Sequence, residues 1–116
     1  MDRFQKMVLD FHKAMDTPWC TQPTADIGQA DAALRIALID EKSDELAGAI
    51  YDQDLVKIAD GLANLLYVTY GCALAFGIDL EPVFCEMHKA NMQKAGGPVS
   101  AEDWHRPNIT AIRSIG

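Results

Sequence analysis

Apolar residues recur at helical spacing along most of the chain, with three polar or glycine- and proline-bearing interruptions. Phe4, Val8, Phe11 and Met15, with Met7 beside them, follow i, i+4, i+7 spacing and predict a first helix over about residues 2–16. Thr17-Pro18 ends it, because proline disfavours the α conformation in the residue before it. The segment from Thr17 to Gly28 holds Pro18 and Pro23 and reads as a loop. A second helix is expected from near Gln29 to about Tyr51, apolar on two sides: Leu34 and Leu38 on one, Ile39, Leu46 and Ile50 on the other. A helix of that kind packs between neighbours or across a subunit interface. Asp52-Gln53-Asp54 breaks the pattern, and Asp54 suits the N-cap of a third helix from Leu55 to about Phe76. Its main apolar face is Leu55, Ile58, Leu62, Leu65 and Leu66, and from Leu65 onward it is apolar nearly all round, which predicts burial on every side. Gly77 suits a C-cap. Asp79 caps a fourth helix, with Pro82 in its first turn, which ends at Gly96-Gly97. It carries Val83, Phe84, Met87, Asn91 and Met92, with Asn91 expected on the inward side between Phe84, Met87 and His88. No period-two pattern competes. The prediction is an all-α four-helix bundle over residues 1–97, with an extended tail, 98–116, packing on the bundle or on a neighbouring subunit.

Composition narrows the partners more than the fold. At 116 residues, 49% hydrophobic and 23% charged, the chain suits one globular domain. A net charge of −7 argues against a nucleic-acid polymer, since there is no basic patch to release counterions. A nucleotide remains compatible if a cation or a few local lysines offset the acidic field. Three cysteines, Cys20, Cys72 and Cys85, without CxxC spacing, read as small buried hydrophobes in a reducing compartment. No signal peptide is evident, and the run LLYVTYGCALAFGI reads as too short to span a bilayer. The expected location is the cytoplasm, away from membranes.

The chemistry concentrates in the middle of the chain. Of 17 acidic residues, seven (Asp40, Glu41, Asp44, Glu45, Asp52, Asp54 and Asp60) fall within one short stretch. Leu34, Leu38, Glu41 and Glu45 lie within a helical sector about 60° wide, so the two glutamates continue a leucine stripe. Asp60 and Asn64 stand one turn apart on the next helix, on a stripe with Tyr67 and Gly71. Carboxylates directed at a partner helix need compensation, and a bound cation is the usual one. Mg²⁺ and Mn²⁺ prefer hard oxygen ligands and retain waters. Two facing helices that each offer oxygens at i and i+4 suit one or two such ions, with substrate phosphates as further ligands. The plainer alternative is a set of acidic residues on a wet helix face.

RIALIDEKSDELAGAI followed by DLVKIADGLANLLYVTYGCALAFGIDLEPVFCEMHKANMQK resembles the MazG-like nucleotide pyrophosphohydrolases, a superfamily that includes phosphoribosyl-ATP pyrophosphohydrolase. The likeness runs from residue 2 to about 95 and is closest to small forms that begin with an FHKAM-like helix. It implies an all-α homodimer or homotetramer that cleaves a nucleoside triphosphate to the monophosphate and pyrophosphate with Mg²⁺. By position it implies Glu41, Glu45, Asp60 and Asn64 as metal ligands, with Asn64 the weaker because its oxygen is neutral. Asn91 and Lys94, in ANMQK, match a signature that meets substrate. Relatives carry two adjacent acids where this chain has Glu41-Lys42, an aspartate at the position of Asn64, and often an acid at Lys57. Each change makes the site less negative and implies reduced activity, or a homologue that binds nucleotide without turning it over.

On this reading water attacks phosphorus while Glu41 or Glu45 takes its proton. Lys42 and Lys94 contact phosphate, and Tyr67 and Asn91 contact substrate. Lys94 otherwise only complements a helix dipole. His12, at the edge of the first helix's stripe, reads as a hydrogen-bonded structural histidine rather than a base. Trp19 and Trp104 anchor loop and tail or stack on a base.

Overall fold

The computed structural model describes residues 1–95 together with Ser114 and Ile115. Four helices follow one another: α1 (Arg3–Ala14), α2 (Gln29–Tyr51), α3 (Leu55–Ala75) and α4 (Leu80–Ala95). With no strand among the described residues, the fold is all-α, as the spacing predicts. The caps fall where short acids permit them. Asp2 accepts from the Gln5 amide at 2.8 Å, Asp54 from Lys57 and Asp79 from Glu81, each satisfying a first-turn N–H that the helix leaves unpaired.

α2 and α3 form an antiparallel hairpin closed by Asp52–Asp54, with Gly61 against Leu46 near the turn and Gly71 against Arg35 further along. Small residues let the backbones approach: a Cβ at Gly61 would lie 3.1 Å from Leu46 Cα. α1 packs on the far half of α3, where Val8, Leu9 and Leu74 make the buried centre. The 17–28 loop crosses the end of α3, Cys20 N–H donating to Leu74 O and Thr24 N–H to Phe76 O. Gly77 sits beneath it at φ +70°, with a Cβ position only 2.1 Å from Gln22 O, so glycine is needed there for conformation and for room. Trp19 anchors the loop on the core, with Lys13 Nζ 5.5 Å from its ring.

Several expected faces are rotated. On α1 the buried set is Gln5, Val8, Leu9 and His12, while Phe4, Met7, Phe11 and Met15 stay about half exposed. On α2 the face toward α3 runs through Arg35, Ile39, Lys42, Leu46 and Ala49, and Leu34 lies outside it. On α3, Leu55, Leu62 and Leu66 are exposed, and apart from Gly61 the buried positions start at Gly71, not at Leu65. On α4 the inward stripe is Val83, Glu86 and Ala90, so Phe84, Met87, His88 and Asn91 face outward, contrary to expectation, as does Met92. In each case the chain meets its own neighbours through smaller or polar side chains and leaves a second apolar stripe uncovered. At 21 residues, α3 is long and apolar enough to cross a membrane by length and composition alone, a test that the core helix of a bundle also passes. It carries Lys57, Asp60 and Asn64 in its first half and lies along α2 and α1. Residues 96–113, with Trp104 and most of the expected tail, lie outside the described residues. Ile115 packs against the core cluster and donates its N–H to Thr21 O.

Candidate functional site

The closed end of the α2–α3 hairpin holds a cleft of about 370 Å³ lined by Asp44, Glu45, Gly48, Ala49 and Asp52 from α2 and its turn, and by Lys57, Asp60, Gly61 and Asn64 from α3. Its existence follows from side-chain size. Gly48 faces open space and Ala49 is small, Gly61 lets the helices close on Leu46 beside them, and the flanking positions are acidic or amide. Three of the four expected metal ligands, Glu45, Asp60 and Asn64, therefore share one cleft. Glu41 is not part of its lining.

Burial differs from the sequence expectation. Glu41 and Glu45 keep 57% and 50% of their side-chain surface exposed, because the stripe that meets α3 passes through Lys42 instead. Lys42 Nζ donates to Glu41 Oε1 at 3.3 Å and to Glu45 Oε2 at 3.4 Å. The hydrogen bond to Glu41, supported by both carboxylate charges, raises the lysine pKa above its ordinary value and keeps it an ammonium. The covalently attached cation thus already offsets part of the charge of the two glutamates. Among the described residues no three His, Cys, Asp or Glu side chains are gathered as a ready-made ion cage. The donor chemistry still suits a hard cation, with Glu45, Asp60, Asn64, Asp44 and Asp52 all offering oxygen around one cleft.

Asp44, Asp52 and Lys57 belong to the lining although sequence spacing singled out neither aspartate. The available signal was Gly48, which leaves open space, and Gly61, which marks where the facing helices approach closely. The expected substrate contacts separate from the cleft. Tyr67 stands edge-to-face with Phe11, ring centroids 5.8 Å apart, and lines apolar grooves nearer α1. Asn91 is on the exposed side of α4 rather than buried, and Lys94 is exposed in its last turn; neither lines the acidic cleft.

A second arrangement was missed by sequence reasoning. Arg35 is only 7% exposed, and no carboxylate of the described residues pairs with it. His12 is 4% exposed, and its Nδ1, like Arg35 Nε, has no hydrogen-bond partner. Burial, then the Arg35 charge, lowers the His12 pKa, with the Pro18 backbone acting against them, so the ring is neutral. The histidine is structural in position, as expected, and its ring contact with the backbone is at Pro18. A charged residue within the Ile39–Leu46 stripe was the available sign at Arg35.

The family model for phosphoribosyl-ATP pyrophosphohydrolase matches residues 8–91, which takes in α2, α3, the acidic cleft and most of α1 and α4. An uncharacterised protein of Acanthamoeba polyphaga mimivirus is 42% identical over 48 residues, which covers 41% of this chain and 19% of that protein. The chain therefore spans about a fifth of the length of the curated relative it matches.

Proposed function

The chain belongs to the phosphoribosyl-ATP pyrophosphohydrolase family, and we propose that its acidic cleft hydrolyses a nucleoside triphosphate to the monophosphate and pyrophosphate. The family match points to pyrophosphohydrolase-type chemistry; the triphosphate substrate and the need for Mg²⁺ or Mn²⁺ are our reading. The observation that carries it is the meeting of Glu45, Asp60 and Asn64 in one cleft of about 370 Å³ between α2 and α3. Glu45 and Asp60 would hold the ion, with Asn64 a weaker ligand and Glu41 joining once Lys42 releases it. Bound there, the ion would neutralise phosphate charge and make an adjacent water a better nucleophile.

The chain's own groups supply the rest. Glu45, half exposed, accepts the proton of the attacking water. Lys42 swings from Glu41 and Glu45 to the phosphate chain, exchanging one anionic partner for another, and Lys57 approaches it from the α3 side. A second copy of the chain completes the assembly by covering the apolar groove of Phe4, Met7, Val8, Leu66, Tyr67 and Tyr70 and the outward stripe of α4. The Lys42 bridge also favours a second reading, a nucleotide-binding homologue with little turnover, because the ammonium competes with a metal for the same oxygens.

One experiment separates them. Pyrophosphate release is measured over canonical, deoxy and damaged nucleoside triphosphates with Mg²⁺ or Mn²⁺, for the wild type and for Lys42→Glu with Asn64→Asp. Measurable wild-type release that rises at least tenfold in the double variant supports the enzyme. Thermal stabilisation by nucleotide without release in either protein supports the binder. No release and no stabilisation refutes both.

A further inference from the structure

α1, α2 and α3 flank a second, half-open cavity of about 270 Å³, whose lining includes Phe11, His12, Leu34, Arg35, Tyr67 and Gly71. Its walls are apolar or aromatic and its polar groups are Arg35, His12 and Thr17. Arg35 lies ten residues before Glu45 on α2, roughly 15 Å along the helix axis, so this cavity is separate from the acidic cleft.

We propose that this cavity is a binding site for a small planar anion: a carboxylate or phosphate carried on a ring, with the anionic group on Arg35 and the ring against Phe11 and Tyr67. Three observations carry it. A guanidinium buried to this degree needs a negative partner, because an uncompensated buried charge is strongly unfavourable. None is supplied by the described residues, although the chain has a net charge of −7. Second, the unpaired polar atoms, Arg35 Nε and His12 Nδ1, belong to residues that both line the cavity. Third, Gly71 makes the room. A Cβ there would stand 3.1 Å from Arg35 Nη1 and 3.2 Å from His12 Nε2, so the missing side chain lets the two polar groups lie together at the helix seam. The T-shaped Phe11–Tyr67 pair beside them offers a flat ring the edge and face contacts that aromatic groups prefer. A guanidinium, planar and forked, matches a carboxylate or phosphate in two-point geometry. Neutral His12 adds a hydrogen bond without adding charge.

The test is calorimetric titration of the full chain with benzoate, phenyl phosphate, inorganic phosphate and neutral benzyl alcohol. It is run on the wild type, Arg35→Met and Gly71→Ala, with sedimentation to follow the oligomeric state. Benzoate or phenyl phosphate should bind the wild type, bind Arg35→Met at least tenfold more weakly, and outcompete benzyl alcohol. Gly71→Ala keeps the charge but crowds the site, and should weaken the same ligand if Arg35→Met fails to fold. Ligand-free Arg35→Met should melt higher than the wild type, as removal of an uncompensated buried charge implies. Equal binding of the anions to wild type and variants, or no binding to the wild type, overturns the proposal. Inorganic phosphate binding as tightly as phenyl phosphate overturns the role given to the aromatic wall. An assembly that falls apart in Arg35→Met identifies a second copy's carboxylate as the counterion and likewise overturns it.

Discussion

Gln5 is the side chain whose removal most directly tests how α4 is held. It is fully buried, its Nε2 donating to Ile78 O at 2.8 Å and its Oε1 accepting from Leu80 N at 3.0 Å. One amide therefore clips α1 to both sides of the α3–α4 connection, beside the contact of the Met1 amino group with Asp79 at 3.1 Å. Gln5→Leu keeps the volume and removes both hydrogen bonds, leaving an N–H and a C=O without partners. Each orphaned buried group costs about 1–3 kcal/mol. Ile78 and Leu80 are only partly buried, so water repairs some of the loss and the low end applies, about 1 kcal/mol apiece. The expected total is about 2 kcal/mol, a large part of a net stability on the order of 5–15 kcal/mol.

The assay is urea unfolding followed by circular dichroism, with the slope checked so that the midpoint shift reads as stability. A loss under about 0.5 kcal/mol would refute the reasoning, because it would mean that neither backbone group depends on Gln5. Gln5→Glu separates hydrogen bonding from packing. A carboxylate still accepts from Leu80 N–H but repels Ile78 O, whereas the protonated acid donates to that carbonyl. Folding thus favours the protonated form, which raises the folded-state pKa, so stability is retained at low pH and lost as pH rises through that value. A pH-independent Gln5→Glu would contradict the two-sided geometry of the clip.

Other outcomes are equally definite. His12 has a folded-state pKa below its ordinary 6.5, so the unfolded chain binds the proton first; stability should fall as pH drops below 6.5 toward the lowered value, and urea midpoints of His12→Gln should show a flatter profile. Gly77→Ala should lose at least about 2 kcal/mol by the same unfolding assay, since the left-handed conformation alone costs roughly 1–2 kcal/mol and its Cβ would run into Gln22 O. Leu74→Ala, at the fully buried centre, should cost about 2–5 kcal/mol, and a smaller loss would mean the α1–α3 core is not the stabilising one. Exposed Cys85 should react with a thiol reagent at neutral pH well before Cys72, whose thiol burial pushes up in pKa with Arg35 partly offsetting it.

The helix boundaries were legible because their signals are local. Asp54 and Asp79 cap the helices they were expected to start, Asp2 adds a cap that was not expected, and Pro18 and Gly77 stand where chain direction changes. The side that each helix turns inward was not legible, for a physical reason visible on α1. Phe4, Met7, Phe11 and Met15 outrank Gln5 and His12 on any hydrophobic scale, yet the latter two are buried. Periodicity identifies apolar stripes but not which stripe meets the chain's own core and which is left for something else. Gln5 is buried because two backbone groups of the α3–α4 connection need it, a demand that exists only after the chain has folded.

The same ambiguity explains the site. The leucine stripe through Glu41 and Glu45 suggested carboxylates pressed against α3, whereas the inward stripe is one residue further on and carries Arg35 and Lys42. Rotating α2 by one residue turns the glutamates from buried ligands into flanking, solvent-bathed ones, and makes the two cations the groups at the seam. Lys42 finds anions within reach and Arg35 does not, which is the difference between an acidic cleft with a tethered cation at its edge and a cavity that lacks a counterion. On the proposed function, binding at the first depends on displacing an internal ammonium. On the further proposal, binding at the second requires no such exchange, because Arg35 is already buried without a carboxylate partner among the described residues.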